Sequence, residues 1–265
     1  YLPSGLDSRV PKNLYSITLS LSDKLDTLVG FFGLNLIPTG SRDPYALRRY
    51  SIALIRIIIE NKIKIKLRSI LNYSLTLYKE QGYEFDITKV LKELNTFILD
   101  RLKNYLKEKD IRLDIVESLI LSNDIDEIYK GYKKAEVLNR NIKKELGQDV
   151  LGIYKRSSNI LNTEVNKNKI VLSNSVDVGL FKNDFEKNLF KKIQEIKKYL
   201  FNIDKNDNFE DDLRELFKLK QDVNMFFDNV KVNDENILIK KNRLELLNLL
   251  CKSFDNFFNF SKIEG

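Results

Sequence analysis

The chain has no histidine and no tryptophan, one cysteine (Cys251) and one methionine (Met225). Without histidine these residues cannot build a Ser-His-Asp or Cys-His nucleophile pair, a His-ligated zinc or an imidazole proton shuttle. A single cysteine excludes an internal disulfide and a paired-cysteine metal knuckle. Ten glycines and four prolines in 265 residues are few, which favours long helices over many tight turns. The longest apolar run, Leu28 to Ile37, is about half the ~20 residues a membrane-spanning helix needs and contains Asn35. The chain opens Tyr1-Leu2-Pro3, with no initiator methionine, and so reads as a piece of a longer protein. The low cysteine usage and the lack of a charged-then-apolar leader point to the cytoplasm.

Present in excess are cations: 45 Lys and Arg against 38 Asp and Glu, a formal charge of +7, with an isoelectric point near 9.1. That balance allows attraction to phosphate backbones, and is equally what a solvated basic surface would have. With 43% hydrophobic residues the chain can bury an ordinary core, and at ~150 residues per domain it makes one large domain or two modest ones.

Three- and four-residue apolar spacing runs through most of the sequence and predicts an all-α fold. Helices are expected over 11–32, from the Asp43-Pro44 pair to Glu60, and over 63–78, 87–107, 112–121, 124–142 and 145–162. Three more follow, after Val178, over 209–228 and over 235–258. In the second helix Arg48, Arg49 and Arg56 are expected on the outer flanks, with Asp43 as N-cap and Pro44 at the first helical position. The polar, weakly periodic stretch 80–86 is the expected domain boundary. Asn162 to Val178 reads as an irregular loop, and Asn202 to Asn208 as a polar break.

Several strings in order carry a family resemblance. Leu19-Ser-Leu-Ser-Asp-Lys-Leu-Asp-Thr-Leu-Val-Gly-Phe-Phe32 with Pro38-Thr-Gly-Ser-Arg-Asp-Pro-Tyr-Ala-Leu-Arg-Arg49 resembles the beta subunit of the bacterial heterotetrameric glycyl-tRNA synthetase, where its HD-like domain meets the C-terminal half. Phe97 to Leu106 and Asp114 to Leu119 look like the start of that subunit's DALR-type anticodon-binding domain. Lys155-Arg-Ser-Ser-Asn-Ile-Leu161, Asp222 to Val230, Asn242 to Leu247 and Phe260-Ser-Lys-Ile263 resemble its later signatures. The resemblance implies the tail of an HD-like domain over 1–79, a linker over 80–86 and a DALR-type helical bundle over 87–265. It implies a tRNA(Gly)-binding portion of a glycine–tRNA ligase, with the chemistry in the alpha subunit. No catalytic or metal residue and no cofactor is expected in this stretch, ATP and Mg being used by the whole enzyme. The implied partners are tRNA(Gly), the alpha subunit and the N-terminal half of the beta subunit. The alternative is an assembly module that docks beta to alpha without reading an anticodon.

The candidate tRNA contacts are Arg42, Arg48 and Arg49 at one helix end, Lys155, Arg156 and Asn159 on another helix, and Arg243. Guanidinium forks and lysines hold phosphates, and an amide can read a base edge. Tyr154 can supply a stacking ring or belong to the core, and Arg243 can instead pair with Asp222 or Asp228. Asp23 resembles the last aspartate of HD phosphohydrolases, yet that site needs histidines the chain lacks, so Asp23 and Asp26 also read as surface or capping carboxylates. The Pro38 to Pro44 turn lacks the spacing of a nucleotide-binding loop. Phe226, Phe227, Phe254, Phe257, Phe258 and Phe260 read as core, as does Cys251.

Overall fold

In the computed structural model, which describes residues 2–3, 8–201 and 208–265, every regular element is helical, and the one β pairing among these residues is an isolated bridge between Thr39 and Arg42. The all-α expectation holds. The chain divides into two compact units, Tyr1–Tyr132 and Lys133–Gly265.

The first unit contains α1 (Leu14–Gly33), α2 (Leu47–Glu60), α3 (Leu67–Glu80), α4 (Ile87–Glu108) and α5 (Leu113–Ile120). Asn13 starts α1, its side chain accepting from the Ser16 N–H at 2.8 Å. α2 begins three residues later than the Asp43-Pro44 pair suggests, because Ala46 takes a left-handed conformation (φ 58°) and turns the chain once more. The Asp43 carboxylate still caps, accepting from the N–H groups of Leu47 and Arg48 at 2.8 and 3.0 Å. Pro44 therefore lies outside the helix. α2 is buried continuously from Ala53 to Ile59 between α1 and α4. Arg56, expected on the surface, lies in that buried run and donates to Glu60 and to the Ser8 carbonyl, both at 2.8 Å.

The expected boundary at 80–86 is instead a turn locked onto α1. Gly82, at φ 89°, reverses the chain, and Tyr78, Tyr83 and Phe85 pack ring to ring at 5.4–5.9 Å. The Phe85 ring sits where a Cβ on Gly33 would be, and the Tyr78 hydroxyl covers Gly30 while donating to the Asp26 carbonyl at 3.1 Å. With α4 laid against α1, α2 and α3, the first unit continues past this turn, and the packing boundary falls at 132/133, inside α6 (Ile128–Asn141).

The second unit is built on α7 (Glu145–Asn168), α8 (Asp184–Phe201), α9 (Phe209–Phe217), α10 (Leu219–Asn229) and α11 (Ile237–Asp255). α7 runs one and a half turns further than expected, to a left-handed Lys169. The single helix expected over 209–228 is broken at Lys218, so that α9 packs against α7 and α10 against α8. The polar break assigned to Asn202–Asn208 lies, except for Asn208, outside the described residues. The loop after α7 is stitched to α11. The Glu245 carboxylate accepts from Ser173 and from the Asn174 N–H, and the Asn242 amide pairs both ways with the Asp177 backbone at 2.8 and 2.9 Å. α11 can bury polar residues on one side because each meets a fixed partner there.

Candidate nucleic-acid interface

The sequence candidates separate according to whether the fold has already used their charge. Arg243 is used. Its residue is 5% exposed, its Nε donates to Glu186 Oε1 at 2.7 Å, and its NH1 donates to Asp234 Oδ2 at 2.7 Å and to the Lys231 carbonyl at 2.8 Å. The other Glu186 oxygen accepts from the N–H groups of Lys182 and Asn183, while Asn183 caps the Glu186 N–H, a reciprocal box that starts α8. Arg243 thus acts as a buried brace, with three of its five N–H donors on two carboxylates and a carbonyl and little of it open to RNA. Its partners are Glu186 and Asp234, neither of the aspartates expected from sequence. The Asn236 N–H, followed by Arg243, holds the Asp234 carboxyl below the usual aspartate range.

At the start of α2, Arg48 donates to the Gly40 carbonyl at 2.5 Å and braces the turn. Arg42 and Arg49 are exposed and make no ion pair among the described residues. Arg49 lines an open cleft of about 380 Å³ together with Lys24, Tyr45 and Tyr50. Lys24 is buried with its ammonium 2.8 Å from Asp23 Oδ2 and 4.9 Å from the Tyr50 ring centre. Asp23 is therefore half of a salt bridge. Among the described residues no group of three or more acidic, cysteine or histidine side chains is placed to hold a metal.

On α7 the situation is reversed. Lys155 is half-buried, Arg156 and Asn159 are exposed, and among the described residues none of the three makes an ion pair or side-chain hydrogen bond. Arg156 lays its guanidinium over Phe227 of α10 at 4.3 Å from the ring centre. Phe227 is half-buried, with its ring also edge-on to Phe226 at 5.4 Å. Phe226, Phe254, Phe257, Phe258 and Phe260 are all fully buried, as the helical spacing predicts. Tyr154 joins them, 5.9 Å from Phe254 and 5.6 Å from Phe260, and burial raises its hydroxyl pKa. It is core, not a stacking ring offered to solvent. Burial also pushes the Cys251 thiol up to about 12, so it stays protonated and unreactive at neutral pH.

One basic surface escapes the motif-led reading. From Asn61 to Lys79 there are five cations, Lys62, Lys64, Lys66, Arg68 and Lys79, and no Asp or Glu. All five are exposed, as is Tyr73 on the outer face of α3. Counting carboxylates in a sliding window would have found it, whereas the net charge of the whole chain dilutes it.

Residues 1–121 match the family model described as glycyl-tRNA synthetase beta subunit, and residues 150–264 match the DALR anticodon binding domain. Over 263 residues, 99% of its length, the chain is 35% identical to the glycine–tRNA ligase beta subunits of Rickettsia typhi and Rickettsia prowazekii. Identity to that of Rickettsia africae is 34% over the same length. The chain spans 37% of the length of each of these relatives.

Proposed function

Because this chain belongs to the glycyl-tRNA synthetase beta-subunit family, we propose that it is the tRNA-binding portion of a glycine–tRNA ligase. In this reading it grips tRNA(Gly) and inspects the anticodon while an alpha subunit, using ATP and Mg, performs aminoacylation. The observation that carries the reading is on α7. Inside the stretch matching an anticodon-binding domain, two adjacent cations and an amide on one helix stand without an ion pair or side-chain hydrogen bond among the described residues. Leaving Lys155 and Arg156 without carboxylates suits a polyanionic partner, since each phosphate neutralised releases a condensed counterion. The basic strip over 61–79, which has no acidic residue of its own and meets the Asp126 carboxylate at the Arg68 N–H, serves the same partner as a backbone-holding surface, indifferent to sequence.

Binding measured across a salt series, with tRNA(Gly) and an anticodon-swapped tRNA, tests this. Lys155→Ala with Arg156→Ala is expected to weaken tRNA(Gly) binding about tenfold and to reduce the slope of log Kd against log salt by about 1–2, the value for two lost phosphate contacts. Removing Lys62, Lys66 and Arg68 together should weaken both tRNAs by the same factor. Unchanged affinity of the α7 double variant at low salt would remove α7 from the interface.

A second reading, docking to another subunit, is favoured by α1, where Leu14, Tyr15 and Leu19 are 73%, 87% and 58% exposed. A chain with only that role would bind the two tRNAs without preference.

A further inference from the structure

The same stretch of α7 contains a residue that helix propensity disfavours. Gly152 sits within a 24-residue helix, where only proline is tolerated less well. Three other helix glycines have steric reasons: a Cβ on Gly30 would meet Tyr78, on Gly33 Phe85, and on Gly147 the backbone of Asn141. Gly152 has none, since it is exposed and a Cβ there would meet nothing within 4 Å.

Two contacts bracket the open space above it. One turn before, Asp149 accepts from Lys220 Nζ at 2.7 Å, and one turn after, Arg156 stacks on Phe227. Both steps are seven residues, 149 to 156 on α7 and 220 to 227 on α10, so the helices run in the same sense here and are bridged at points about 10 Å apart. Gly152 lies between the bridges on α7, and Asn224 is exposed between them on α10. Among the described residues neither Asn224 nor Asn159, one turn beyond Arg156, has a side-chain hydrogen bond. The Arg156 guanidinium is centred 4.3 Å from the middle of the Phe227 ring, and the residue remains exposed to a ligand.

We propose that Gly152 is the floor of a notch that accepts one unstacked RNA base, which lies against the Arg156 guanidinium and offers its edge to the amides of Asn159 and Asn224. Bases of single-stranded loops are held by stacking on arginine planes and by hydrogen bonds to their edges, and a missing Cβ is what lets a flat ring approach a helix backbone. This rests on the tRNA-binding reading above.

The test uses the 265-residue chain and an anticodon stem-loop of tRNA(Gly), with each loop base made abasic in turn. Gly152→Leu is expected to raise the melting temperature by about 2–4 °C, since leucine suits a helix, and to weaken stem-loop binding about tenfold, the typical loss for one stacked base. At one loop position the abasic RNA should bind the variant and the original chain equally, because the base and the notch are a single interaction. A Gly152→Leu chain that binds as well as the original, or one whose loss is the same at every abasic position, overturns the notch while leaving tRNA binding intact. If the original chain itself binds no tRNA at low salt, the proposed function falls, and the notch with it.

Discussion

Arg243→Leu is expected to destabilise the second unit by about 3–5 kcal/mol, the cost of leaving a buried charge without its partner. At ~4 °C per kcal/mol for a unit of this size, the melting temperature falls by about 15 °C. The reason is the fate of Glu186, which is 1% exposed and keeps its two backbone donors but loses the one cation paired with it among the described residues. Arg243 also ties the Lys231 carbonyl and Asp234 to α11, so the turn between α10 and α11 loosens together with the start of α8. A double variant, Arg243→Met with Glu186→Gln, should recover most of the loss, because it removes both charges instead of one. Below the transition, the folded fraction of Arg243→Leu should bind tRNA as the original chain does. Circular dichroism during urea unfolding measures the first effect and filter binding the second. A loss below about 1 kcal/mol accompanied by weakened binding would return Arg243 to the RNA surface.

Phe260→Ala should cost a similar amount, about 3–5 kcal/mol, the usual range for removing a fully buried phenylalanine. The short 3₁₀ turn Phe260–Lys262 folds the chain end back so that this ring meets Tyr154 at 5.6 Å, Phe254 at 5.7 Å, and Phe257 and Phe258 at 6.4 Å. Here, unlike at Arg243, stability and the proposed RNA binding are expected to be coupled. Tyr154 directly precedes Lys155 and Arg156, so a cavity beneath it frees α7 to shift and misplaces the two cations. The Phe260→Ala chain should therefore lose tRNA affinity even at temperatures where it remains folded, and Phe260→Leu should recover much of both. The chain has no tryptophan, so far-UV circular dichroism is the natural readout of its unfolding. Full affinity in a destabilised Phe260→Ala chain would uncouple the cluster from the α7 surface.

Most helices were legible because a buried stripe recurs every three to four residues regardless of what covers it. α4 is the clearest case: Val90, Leu94, Ile98, Leu102, Tyr105 and Leu106 are spaced for one face and are buried. The errors came where a tertiary contact overrides a local signal. Asp43-Pro44 has the chemistry of a helix start, but the chain makes a further turn through Ala46. The stretch 80–86 is polar with a glycine, as a linker would be, yet Tyr83 and Phe85 fold back onto α1. The 162–178 segment has a loop's composition, but seven of its residues extend α7 and the rest are held by Asn242 and Glu245.

The candidate site shows the same division more sharply. Sequence alone determined that this chain cannot do histidine or disulfide chemistry, that it is all helix, which family it resembles, and which cations lie on which helix. These follow from residue identity and from periodicity along a single strand of chain. Only the tertiary structure decided that Arg243 and Arg56 are buried braces and Arg48 a brace of the turn before α2, while Lys155 and Arg156 stand without ion pairs among the described residues, that Tyr154 belongs to the core and half-buried Phe227 lies between Phe226 and Arg156, and that Gly152 opens between two bridged helices. An arginine's charge can be neutralised equally well by a carboxylate 57 residues away, as Glu186 does for Arg243, or by a phosphate on another molecule. The choice between them is made by which elements are packed within 3 Å of it, and no local stretch of sequence contains that information.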